Sequence, residues 1–147
     1  MVEPVLLDPE PPSKPRWPLP GWLDPVIRWA GFVVALGLAA LTAAFEAVYS
    51  QLYLTSTVRA PYALIAAVLI NPALVWFAYS VTGRRLAALG PTLVWVAVMF
   101  VAASATREGD LFITSRNWVG IWTLMAGTVA FAAGGYRLIL AGIKPPN

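Results

Sequence analysis

The sequence predicts an all-α membrane protein: four transmembrane helices in an antiparallel bundle, preceded by a Pro-rich N-terminal tail. Three observations predict it. The chain of 147 residues is 59% hydrophobic and only 12% charged, and its mean hydropathy of +0.72 exceeds what a soluble domain with one small core reaches. Its apolar residues gather into four long runs, separated by short segments rich in Pro, Gly, Arg and small polar residues. Basic residues are concentrated near the ends of those runs, as in membrane proteins.

Composition also narrows the chemistry. With no cysteine the chain has no disulfide, thiolate nucleophile or sulfur-linked haem, and with no histidine it lacks the commonest metal ligand and general base. No HExxH, GxSxG or phosphate-binding loop is present. The expectation is therefore no enzyme, no cofactor and no resident metal. Glu108 and Asp110 are the one carboxylate pair on a loop, and two oxygen donors alone do not make a cation site. The net charge of +3 is spread without a basic patch, which argues against nucleic acid as a partner.

Residues 1–24 hold seven of the thirteen prolines, which exclude a helix there. They read as an extended cytoplasmic spacer, with Trp17 and Trp22 suited to the headgroup level. A docking arm for a partner is the alternative. The acidic start (Glu3, Asp8, Glu10) does not resemble a cleaved signal. Residues 25–144 form the expected four-helix transmembrane domain.

Helix one is expected over 25–54, with Asp24 as N-cap and Pro25 in the first helical position. Gly31, Ala35, Ala39, Ala43 and Ala47 recur every fourth residue and make a narrow small-residue stripe. Glu46 falls on that stripe, the only carboxylate inside an apolar run, and so points at other helices. At ~1.5 Å per residue it lies ~30 Å from Val26, near the far interface. One reading pairs it with Arg59, Arg107 or Arg116. The other joins it with Tyr49, Gln51 and Asn71 to hold a small polar ligand or a proton.

Helix two is expected over 61–82, kinked where Asn71 precedes Pro72 near its centre. Asn71 is expected to bond the freed Val68 carbonyl or a neighbouring helix; the functional alternative is a midplane ligand site. Gly83 is a C-cap candidate, and Arg84 and Arg85 are topological anchors. Helix three, over 86–105, is the plainest and reads as packing. A polar loop, TREGDLFITSRN, then leads to helix four over 118–140. There Gly120, Thr123, Gly127, Ala130 and Gly134 share one face, which predicts that helices one and four pack together. Arg137 and Lys144 reach for the headgroups.

Four spans place both termini and the loop after helix two on one side. Seven of the ten basic residues fall there, which predicts an inner-membrane, multi-pass protein with N and C termini cytoplasmic.

The AAFEAVYSQLY end of helix one, INPALVWFA in helix two, the REGDLFI loop and the Gly-rich last run together resemble the small four-helix integral membrane proteins of unknown function from high-GC Gram-positive bacteria, the mycobacteria among them. The resemblance spans about residues 26–140. It implies an inner-membrane protein with no assigned reaction, and carries no catalytic residue over. The expected role is an accessory or structural subunit whose small-residue helix faces pack against another membrane protein or another copy of itself. The alternative is a small-molecule or proton-coupled carrier acting as a homo-oligomer.

Overall fold

The computed structural model describes residues 20–104, 113 and 117–141. The Pro-rich tail, the REGDLFI loop apart from Ile113, Arg107, Arg116 and Lys144 lie outside them. The described residues form four helices: α1 (Leu23–Tyr49), α2 (Tyr62–Thr82), α3 (Leu89–Ala103) and α4 (Trp118–Ala141). The helices α1, α2 and α4 are long and apolar enough to cross a membrane, and α3, with 15 residues, is shorter.

Hydrogen bonds at the helix ends explain where the boundaries differ from expectation. After Tyr49 the amides of Gln51 and Leu52 bond three residues back, to Val48 and Tyr49, which tightens the last turn. The chain then folds on itself: Ala60 N–H donates to Leu52 O (2.8 Å), Leu54 N–H to Val58 O (2.8 Å), and Tyr53 pairs antiparallel with Arg59. Helix one therefore stops short of Leu54. Before α3, Ala88, Leu89 and Gly90 also bond three residues back, so residues 86–88 form a turn rather than α-helix. Ser104 is extended (ψ 149°) and ends the helix.

Asp24 does not cap α1. Its carboxylate accepts from Arg28 Nε at 2.8 Å, and Trp22 occupies the N-cap position without a side-chain bond. Gly83 does act as a C-cap: its φ of 66° is left-handed, and its amide donates to Tyr79 O at 2.7 Å. The helix α2 continues through Pro72.

Helix pairing differs from the sequence expectation more than helix position does. The main neighbours of α1 are α2 and α3, those of α2 are α1 and α4, and α1 and α4 barely touch. The two small-residue faces do not meet each other. The α1 stripe (Ala35, Ala39, Ala43 and Ala47) is buried, and a Cβ on Gly31 would lie 2.9 Å from Val81 of α2. On α4, a Cβ on Gly134 would lie 3.2 Å from Pro72 Cα, and one on Gly127 would run into Trp95 of α3. Small residues show that some backbone comes close, and they do not say which one. Larger side chains, among them Leu74, Val75, Trp95, Met99 and Phe131, fill the centre.

Two clasps tie helix ends together. Arg28 Nη1 donates to Thr82 O (3.1 Å), holding the start of α1 to the end of α2. Asn117 accepts the Gly120 amide (3.1 Å), which caps α4, and donates to Ser50 Oγ (3.0 Å) just past α1.

Candidate functional site

The polar centre of the bundle is built from all four helices. Glu46 sits one turn before the end of α1 on the small-residue stripe, and its burial follows from that position: it is 2% exposed. Opposite it, α3 contributes Trp95, 1% exposed, whose indole Nε1 donates to Glu46 Oε2 at 2.8 Å. An indole N–H is a donor only, so a buried tryptophan needs an acceptor, and the carboxylate provides one.

Behind the indole, α4 makes room. A Cβ on Gly127 would lie 2.5 Å from Trp95 Cζ2 and 3.0 Å from Asn71 Nδ2, so glycine at this position lets both side chains lie against the α4 backbone. Phe131, one turn further along α4, packs on the indole with ring centroids 5.5 Å apart. Asn71 of α2 is fully buried. Glu46, Trp95, Gly127 and Asn71 thus form a continuous line across the bundle.

Hydrogen bonding along that line is incomplete. Glu46 Oε1 and both polar atoms of the Asn71 side chain are buried without a hydrogen-bond partner among the described residues. Groups buried in this way carry a substantial desolvation cost and are rare in folded proteins. The expected bond between Asn71 and the Val68 carbonyl is not formed.

The expected pairing of Glu46 with Arg59 is not formed either. Arg59 lies over the Tyr53 ring, 4.6 Å from its centroid, and Nη1 reaches Ser50 O at 3.5 Å. The tight turn after α1 draws this arginine to the helix end and away from the acid. Asp24 with Arg28 is the ion pair among the described residues.

Glu46 also lines a groove of about 270 Å³ between α1 and α2, with Phe45 and Tyr49 on one wall and Tyr62 and Ile70 on the other. A larger cavity, about 420 Å³, lies at the clasped end, among Arg28, Trp29, Phe32 and Arg84. Among the described residues no group of three metal-ligating side chains occurs. Glu108 and Asp110 lie outside those residues.

Of the residues expected to form a polar site, Glu46 and Asn71 lie in the bundle core and Arg59 lies apart. Those expected for helix packing, Gly31, Ala35, Ala39 and Ala43 on α1 and Gly120, Gly127, Ala130 and Gly134 on α4, are buried or partly buried within the chain's own fold. Sequence reasoning missed Trp95 and Asn117. The signals were a tryptophan donor in the middle of an apolar run and an Asn directly before one. Comparison with protein-family models, with curated proteins and with solved structures gives no match.

Proposed function

We propose that this small membrane protein is a carrier, not an enzyme, and that it receives a small polar solute or a proton at Glu46 and Asn71. One observation carries the reading: two side chains from different helices, buried in the same polar line, keep polar atoms for which the chain's described residues supply no partner. Ionisable groups inside membrane helices are costly and mark solute and proton pathways. Trp95 holds the carboxylate, and Gly127 lets the indole and Asn71 lie against the α4 backbone. In this reading the four helices all span the membrane in alternating directions, and the termini are cytoplasmic, on the basic side.

Purified protein reconstituted in liposomes tests it. Wild type carries solute or protons across the bilayer, and Glu46→Gln and Asn71→Ala each abolish that flux while the protein stays assembled. Equal flux in wild type and both variants ends the carrier reading.

A second reading, an accessory subunit, has a different basis. Contact between α3 and α4 is thin compared with that between α2 and α4, which leaves one flank of the bundle sparsely packed for another membrane protein or a second copy. The small-residue faces do not serve that purpose, since the chain uses them internally. Co-purification with a different membrane protein at fixed stoichiometry favours this reading.

A further inference from the structure

We infer that the cavity at the clasped end of α1 and α2 holds the phosphate headgroup of an anionic phospholipid, with Arg84 as its counter-charge. This site is separate from Glu46 and does not depend on the carrier reading. The chain itself fixes its frame. Arg28 is held twice, by the Asp24 carboxylate on Nε (2.8 Å) and by Thr82 O on Nη1 (3.1 Å). A Cβ on Gly83 would lie 3.3 Å from that Nη1, so the guanidinium rests against the left-handed turn that ends α2. Thr82 Oγ1 donates to Ala78 O (2.6 Å) and accepts the Arg84 amide (3.2 Å), which sets the backbone from which the Arg84 side chain leaves. Phe32 is tucked against α3, where a Cβ on Gly90 would lie 2.9 Å from its ring, and Trp29 meets it edge-on with centroids 6.2 Å apart.

Charge and depth select the occupant. Three charged side chains line the cavity; Asp24 and Arg28 neutralise each other, and the Arg84 side chain has no ion pair or hydrogen bond among the described residues. One positive charge is left over, matching the single negative charge of a phosphodiester. Arg28 also keeps three of its five N–H donors unused among the described residues, and guanidinium forks suit phosphate oxygens. A zwitterionic headgroup brings its own cation, for which the cavity offers only Asp24, already paired. The depth is that of headgroups: α1, with 27 residues, is ~40 Å long against a hydrocarbon core of ~30 Å, and the exposed Trp22 and Trp29 mark its start as interfacial. A free phosphate would use the arginines and leave Trp29 and Phe32 bare, whereas a phospholipid lays its glycerol and acyl stems against them. The volume, about 420 Å³, lies in the range of ~300–1,000 Å³ usual for ligand sites.

Full-length protein, delipidated in detergent, is titrated with phosphatidylglycerol and with phosphatidylcholine of the same acyl chains, and bound lipid is counted by native mass spectrometry. The expected result is one phosphatidylglycerol held per chain about fivefold more tightly than phosphatidylcholine, a preference lost in Arg84→Gln. Because the Arg84 side chain bonds nothing among the described residues, this variant unfolds at the wild-type temperature. Arg85→Gln removes the same charge from the adjacent residue, which does not line the cavity, and retains the preference. No retained lipid, equal affinity for the two lipids, or equal loss in both arginine variants overturns the inference, the last because it marks diffuse attraction to a basic surface. Glycerophosphoglycerol, the same headgroup without acyl chains, does not displace the bound lipid at equal concentration; displacement would assign the cavity to a soluble phosphodiester and end the lipid assignment.

Discussion

Trp95 has one hydrogen to donate and Glu46 has two oxygens to receive, so the 2.8 Å bond between them completes the tryptophan and leaves one oxygen of the acid unserved by the described residues. Removing either partner therefore has unequal consequences. Trp95→Phe leaves a carboxylate oxygen buried without its donor and is expected to destabilise the protein by about 1–2 kcal/mol, read from thermal unfolding in detergent. Glu46→Gln keeps an acceptor for the indole and is expected to cost less in the same measurement. Asn71 runs the other way. With both amide atoms unpartnered among the described residues, Asn71→Leu is expected to leave stability unchanged or raise it while abolishing liposome flux, the pattern of a side chain kept at a cost for function. A fall in stability comparable to that of Trp95→Phe would instead mark Asn71 as structural. Glu46 was legible in the sequence, because a lone carboxylate in an apolar run has to face other helices. Its partner was not, because an indole matches the hydropathy of its neighbours and its need for an acceptor shows only when the helices are brought together.

Among the helices, glycine positions separate close contacts from open ones. At Gly127 a Cβ would lie 2.5 Å from Trp95 Cζ2, so Gly127→Ala is expected to push the indole off Glu46 and cost about 1–3 kcal/mol. At Gly37 nothing lies within 4 Å, and Gly37→Ala is expected to raise stability by up to ~1 kcal/mol through helix propensity alone. Unfolding of the two variants side by side checks both. The ends of α2 were legible because Pro61 and Gly83 announce them chemically. The end of α1 and the start of α3 were not, because their turns are made by amides bonding three residues back within sequence that is still apolar. Which helix each small face would meet was equally hidden: α4 lies on α2, while α1 meets α2 and α3.

For the molecule as a whole, the distribution of basic residues is the argument for orientation. A periplasm-active reporter fused after Asn147 is expected to be silent, and the same reporter inserted after Ser56, in the turn that follows α1, is expected to be active; the reverse pattern would invert the topology. Helix count and membrane character were legible in the sequence, since both follow from the lengths of apolar runs. The clasps by Arg28 on Thr82 and by Asn117 on Ser50 were not, since each joins residues more than fifty positions apart. The short α3 has a further consequence. In the four-span reading, the fifteen residues of α3 cover ~22 Å and fall short of a hydrocarbon thickness of ~30 Å, whereas α1, α2 and α4 are long enough to reach across it. Lipids beside α3 are expected to compress or disorder locally. The protein should then unfold at a higher temperature in bilayers of shorter acyl chains and gather in the thinner regions of a mixed membrane, so that lipid thickness itself governs where it resides.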